Sequence, residues 1–590
     1  MARPQFPPMK EVTLMRHSDD RFRPNQDSPR FQRRFALVCL ALCSAFAADQ
    51  TRTVEAQQSP VKLTSPAVKP NQLRQITAQA VPAFAPVTSL ENTFTLHSNP
   101  TATKTIYLDF DGHTTSGTAW GATIVTRPFS LDANPSFSNS ELTIIQEVWQ
   151  RVAECFSPFN VDVTTEDPPA GDLSNSGGSD VRWGMRVCAG ESNPSPAPGA
   201  GGVAFISSFS WNSDTPCFIF PAGLANNAKI MADASIHEVG HTLGLIHDGR
   251  TTPAEGYYYG HGSGPTGWAP HMGVGYDRNL VQWSKGEYAS ANERQDDLVI
   301  ITTRNGFSYL PDDAVNDKTG ANTINGRRGT GVNINAFTVN QKGVITQRTD
   351  SDWFKIVAGT GPLTLNAVGG SINTRLDIQM DLYSSSGTLI TSSNPVDQLT
   401  ASISQNLNPG TYYVKIDGVG KGDPLGTGYT DYSSLGTYVI TGNFTLAPVN
   451  VPSTVIAAYN SSTKTLTLTG DVNANSLTVS YQAGALKVEG ANGTSISVTG
   501  AGGKPVSAPS ATFSHAGKLV LNADLKAGDD AIAIIGVDSS VTNISLGAGA
   551  DKGAVTLSNI DNLNVDGGAG TDIFTATSST IGTFTNSNLP

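Results

Sequence analysis

The spacing of apolar and polar positions changes character twice along the chain. Thr105 to Asp111 alternate as Thr-Ile-Tyr-Leu-Asp-Phe-Asp, the period-two pattern of a strand. Between Ser140 and Phe156 the apolar residues fall at 142, 144, 145, 148, 149, 152 and 153, a stripe on one side of a helix. Short strands are predicted at 160–164, 185–188, 202–206 and 217–220, then a helix beginning near Asn227. A last helix is predicted near Arg304. Beyond Asp312 and Asp313 the pattern becomes short period-two runs separated by Gly, Asn, Asp and Pro, as in an all-β sandwich. From about 455 the chain is Gly, Ala, Ser, Thr, Val and Asn with few aromatics. There, Gly528-Asp-Asp530, Gly549-Ala-Asp551 and Gly570-Thr-Asp572 recur 21 residues apart. A fixed period of this size predicts a β-helix with one 21-residue rung per repeat.

Composition narrows the setting. At 590 residues the chain exceeds one core, and 15% charged residues with 59 glycines and 34 prolines suit β-rich extracellular modules. Residues 1–47 carry eight of the Lys and Arg and four of the Asp and Glu, so the remainder holds 30 against 46, or −16. That excess disfavours nucleic acid and anionic membranes as partners and leaves calcium as one. Arg33-Arg34 precede an apolar run of about 13 residues ending Ala45-Phe46-Ala47, which has the form of a secretory signal and is too short for a permanent span. No later run is apolar enough to be transmembrane. Residues 48–100 read as a linker or short pro-segment. They hold no cysteine, so no thiolate from them can cap a metal.

The chemistry concentrates at 237–248, His-Glu-Val-Gly-His-Thr-Leu-Gly-Leu-Ile-His-Asp. On a helix His237 and His241 share a face, and Gly244 can take positive φ and swing His247 to the same ion. Three neutral imidazoles and one water make the open tetrahedral site of catalytic zinc. Glu238 lies where its carboxylate can reach a bound water. A bare HExxH arises by chance in about one chain in a hundred of this length, and the added Gly and third His make the coincidence about a thousandfold rarer.

This stretch resembles the extended zinc signature of the metzincin peptidases (the reprolysin-like catalytic domain among them) and matches it at every defining position. The resemblance implies an α+β catalytic domain over 101–308, a mixed twisted sheet with long helices. It also implies a methionine turn, for which Met272 in Trp-Ala-Pro-His-Met-Gly-Val-Gly-Tyr is the candidate. Tyr276 lies four residues after Met272, whereas the oxyanion-binding tyrosine of some metzincins lies two after. His261 and His271 lack ligand spacing, which leaves them surface or supporting roles.

Asp350-Ser-Asp-Trp-Phe354, Met380 to Gly387 and Asn408 to Gly418 together resemble the bacterial pre-peptidase C-terminal domain, a β-sandwich here placed at 309–447. Some such modules bind calcium or polymeric substrate, which marks Asp312, Asp352, Asp417 and Asp431. In the repeat region 455–590, Asp530, Asp551 and Asp572 are the calcium candidates, since Gly567 to Phe574 resembles one RTX motif. Of the cysteines outside the signal-like segment, Cys188 and Cys217 fall in predicted strands of one sheet and are the expected disulfide, with Cys155 free. The sequence is read as a secreted zinc endopeptidase acting on protein or peptide. Two rival readings are a surface adhesin with a self-processing or attachment peptidase domain, and a cell-wall amide hydrolase.

Overall fold

A computed structural model describes residues 60–73 and 84–589, apart from 135, 330–334, 371, 373, 447–452, 483 and 501–502. The signal-like segment 1–47 lies outside the described residues. The chain divides at Lys62, and Leu63–Pro590 form one unit.

The first sheet of this unit has six strands. In chain order they are β1 (Lys62–Pro66), β2 (Lys104–Asp109), β3 (Asp162–Thr164), β4 (Trp183–Ala189), β5 (Ala200–Phe205) and β6 (Cys217–Ile219). Their order across the sheet is β1-β5-β6-β4-β2-β3. β2 runs parallel to β3 and β4, and β4 parallel to β6, while β5 is antiparallel to β6. The central strands β2 and β6 are buried along nearly their whole length because they are covered on both faces.

Helix α1 (Asn139–Phe156) is started by a capping box, in which Ser138 and Glu141 satisfy each other's backbone N–H groups. Its stripe of Ile145, Val148, Val152 and Phe156 is buried. Helix α2 (Ala228–Leu243) is capped by Asn227, whose side chain accepts from the N–H of Ile230, and all 16 of its residues are buried. A helix enclosed on every side shows no amphipathic stripe, so its polar residues stand out as unexplained by packing. Helix α3 (Asp297–Arg304) is capped by Asp296.

The expectation of an α+β fold with long helices is overturned. Thirty-six strands are described, against three complete helices of 18, 16 and 8 residues among the described residues. Between α2 and α3 the chain folds into short strands, one 3-10 turn and glycine-rich loops. Among the described residues no α-helix follows α3, because Thr, Val, Ser, Gly and Asn at period two cannot sustain a helical apolar face.

Strand 351–369 serves both layers of a β-sandwich. Its first half pairs with 410–418 and its second half with 401–407 and 436–446, with a register shift between Ala358 and Leu363. Sandwich and first sheet share one hydrophobic core. They are also tied by buried polar contacts. Thr437 donates its N–H and Oγ1 to Glu154 on α1 at 3.1 and 2.6 Å, and Arg375 donates to the carbonyl of Val281 at 2.8 Å.

The 21-residue repeat becomes a register. Leu521 pairs with Thr542, Thr542 with Leu563 and Leu563 with Phe584, all in parallel. On the other sheet Ala531, Lys552 and Ile573 follow the same step. The rungs enclose a separate core of Val, Leu and Ile. Glycine is required at the rung corner, since a Cβ on Gly570 would come 1.6 Å from the carbonyl oxygen of Gly549.

Candidate metal centre

α2 brings His237 and His241 together one turn apart, with ring centroids 4.7 Å from each other. Gly244 ends the helix at φ +109°, and the N–H of Leu245 closes back on the carbonyl of Gly240 at 3.0 Å. A left-handed residue here reverses the chain without the penalty a Cβ would bring. His247 returns to a ring distance of 4.7 Å from His241 and 5.4 Å from His237.

The tautomers are set by backbone carbonyls. Nδ1 of His237 donates to the carbonyl of His271 at 2.9 Å, and Nδ1 of His241 to that of Leu245 at 2.8 Å. Both rings therefore present an Nε2 lone pair to the same point. His237 Nε2 is buried without a partner, and the Nε2 atoms of His241 and His247 are 3.0 Å apart. Burial holds all three imidazoles neutral, pushing His237 down to about 3, His247 to about 4 and His241 well below its ordinary value. Converging, neutral nitrogens, one of them buried without a partner, are what a borderline-soft cation such as zinc needs. The donor set fits the ion.

Glu238 sits beside them, fully buried. A Cβ on Gly202 of β5 would lie 2.6 Å from its Oε1, so only glycine leaves room for the carboxyl. Oε2 has no partner, and burial pushes the acid up to about 8. Oε1 accepts the N–H of Ser65 at 2.8 Å.

Met272 is fully buried under the helix, against Gly240. Its turn, closed by the N–H of Gly273 on the carbonyl of Pro270 at 3.1 Å, supplies the His271 carbonyl that orients His237. The Met272 carbonyl also accepts the N–H of Asp248 at 2.9 Å, which fixes the segment carrying His247. His271 itself points away, its Nε2 3.2 Å from the sulfur of Cys155, and His261 bridges Tyr258 and the carbonyl of Gly428. Tyr276 donates to the carbonyl of Pro66 at 2.9 Å.

Sequence reasoning missed Tyr257. Its ring lies 4.4 Å from that of His247, and its hydroxyl donates to the Thr64 carbonyl at 2.6 Å. The run Tyr257-Tyr258-Tyr259 was visible, but no spacing rule singled out the first.

The predicted Cys188–Cys217 disulfide is not formed, and Cys155, Cys188 and Cys217 are free, buried thiols. Val187, not Cys188, is the partner of Cys217 in register. A one-residue offset puts the two sulfurs on opposite faces of the sheet.

Among the remaining acidic candidates, Asp312 joins Asp350 and Asp352, with ligand atoms within 4.8 Å of one another. Asp350 and Asp352 are almost wholly buried, each with an unpartnered Oδ1, and burial pushes Asp352 up to about 8. Asp417 instead pairs with Lys415 and Asp431 with Arg348. Asp530, Asp551 and Asp572 stack, each carboxylate accepting a backbone N–H from the rung before: Asn475 to Asp530 at 2.6 Å, Asp530 to Asp551 at 2.7 Å and Asp551 to Asp572 at 3.0 Å.

No helix among the described residues is long and apolar enough to cross a membrane. No family model and no curated protein matches the chain. Among solved structures, the pre-peptidase C-terminal domain of a collagenase from Bacillus anthracis is similar over 18% of this chain and 88% of that one, at 15% identity. Its TM-score of 0.14 carries no argument about function.

Proposed function

We propose that the chain is a secreted zinc endopeptidase whose zinc-binding stretch is of the metzincin type. The observation that supports this reading is the convergence of His237, His241 and His247, with the His237 Nε2 buried and unpartnered, the Nε2 atoms of His241 and His247 3.0 Å apart, and the Glu238 carboxyl beside them. Zinc held by the three imidazoles would supply Lewis-acid polarisation of a water and of the scissile carbonyl. Glu238 takes the proton of the attacking water and returns it to the leaving amine. Its enclosure by Gly202 excludes bulk water and holds the carboxyl to one position. Tyr257 aims its hydroxyl at the oxygen of a peptide carbonyl in the cleft, where it donates to charge that develops during attack. The carbonyls of His271 and Leu245 keep two of the imidazoles in the ligating tautomer.

The signal-like run ending at Ala47 assigns the protein to the outside of the cell. A second cation, calcium, is proposed at Asp312, Asp350 and Asp352, a hard-oxygen set in which the Oδ1 atoms of Asp350 and Asp352 are buried without a partner. Digestion of casein and gelatin beside purified cell wall tests the substrate class. Glu238-dependent loss of the proteins with intact wall supports the peptidase, and the reverse supports a wall amide hydrolase.

A further inference from the structure

The cleft over the three histidines is filled by the chain itself. Residues 63–66 of β1 form the sheet edge beside β5, so close that a Cβ on Gly201 would meet the Pro66 carbonyl oxygen at 2.5 Å. Two tyrosines hold this segment by its backbone, Tyr257 at the Thr64 carbonyl and Tyr276 at the Pro66 carbonyl. The N–H of Val68 adds a bond to the carbonyl of Gly223 at 3.0 Å. None of these contacts reads a side chain of the segment, which is how an extended substrate is gripped by strand addition.

The placement of one peptide bond is specific. The Thr64 carbonyl faces His247 and accepts from Tyr257, while the next N–H, that of Ser65, points at Glu238 Oε1. Carbonyl oxygen toward the histidines and amide nitrogen toward the carboxyl is the arrangement a bond must have to be hydrolysed here. Ser65 is buried, so its position is fixed rather than fluctuating at a surface.

We propose that Thr64–Ser65 is a self-cleavage site and that residues 63–68 block the cleft until it is cut. This rests on the peptidase reading. A water oxygen bonds to the Thr64 carbonyl carbon, its proton passes to Glu238, and the C–N bond to Ser65 breaks. Glu238 returns the proton to the departing Ser65 nitrogen, leaving a carboxyl group on Thr64 and an amine on Ser65, and transfer of the remaining carboxyl proton gives carboxylate and ammonium. Because the segment belongs to the same chain, the cut is first order and independent of protein concentration.

The test uses the full chain, loaded with zinc, beside its Glu238→Gln variant, followed by intact mass and N-terminal sequencing. The expected result is a new N-terminus reading Ser65-Pro66-Ala67-Val68 in the wild type only, at a rate unchanged by dilution. Casein is digested in parallel. Glu238-dependent casein cleavage with Thr64–Ser65 left intact overturns this inference and spares the peptidase, whereas loss of neither substrate overturns both. A readout without catalysis is amide exchange in the metal-free Glu238→Gln chain. There Ser65 N–H exchanges about tenfold or more slower than an unstructured amide, and exchange at the unstructured rate refutes the seat.

Discussion

Met272 presses its sulfur against the α-carbon of Gly240, the glycine between the first two histidines: a Cβ built at 240 would lie 2.5 Å from Sδ. The turn carrying Met272 and the helix carrying His237 and His241 therefore fit only if position 240 has no side chain. Gly240→Ala forces one of them to move and should destabilise the chain by about 1–3 kcal/mol, the usual penalty of overpacking. Met272→Ala leaves a cavity instead and should lose about 2–5 kcal/mol. Because the two sites touch, the double variant should lose less than the sum of the singles. Denaturant titration of the four proteins checks this, and strict additivity would contradict the contact.

Glu154 gives the sandwich contact a pH dependence. It is buried between α1 and Thr437, and burial pushes its acid up from the ordinary 4.5 to about 7. Thr437 and Arg375 pull the other way without prevailing. The folded state thus holds a proton that the unfolded state releases, so this contribution is complete below about 4.5 and is lost as pH rises through about 7. The loss approaches about 3 kcal/mol from linkage. Glu154→Gln should flatten the stability profile between those two values. A profile unchanged by the substitution would place the ionisation elsewhere.

Calcium at the Asp312, Asp350 and Asp352 cluster should raise the melting temperature of the whole chain, by an amount equivalent to about 2.7 kcal/mol at a hundredfold excess over Kd. Asp350→Asn should remove the gain. A calcium response that survives this substitution would assign the ion to another set of carboxylates.

The aspartate column of the β-helix behaves differently. Asp551→Ala strands the buried N–H of Asp530, which should cost about 1–3 kcal/mol locally whether or not calcium is present. Hydrogen exchange at Asp530 measures it. Unchanged protection would mean that the carboxylate is not the acceptor.

What was legible in the sequence was local. His237, His241, Gly244 and His247 lie within eleven residues, and the Ser138–Glu141 cap and the apolar stripe of α1 are likewise neighbours along the chain. The 21-residue step of the glycine and aspartate repeat carried over directly into parallel register, because stacking makes sequence period and spatial period the same thing. Long-range placement was not legible. Ser65 meets Glu238 across 173 positions, and Tyr257 meets Thr64 across 193, with no pattern in either segment to announce it. The cysteines failed for a subtler reason. Cys188 and Cys217 do sit on adjacent strands, but one residue of register decides which face each sulfur takes, and strand pairing alone does not reveal it. The expected long-helix fold failed because one family signature was extended to a chain whose remaining residues favour strands.

The most direct test of the zinc peptidase account is metal content measured together with peptide cleavage for the wild type and Glu238→Ala. The account predicts about one zinc per chain in both proteins and a loss of cleavage in the variant on the order of a thousandfold or more. Full cleavage by the zinc-bearing variant, or a wild type that binds no zinc, would contradict it.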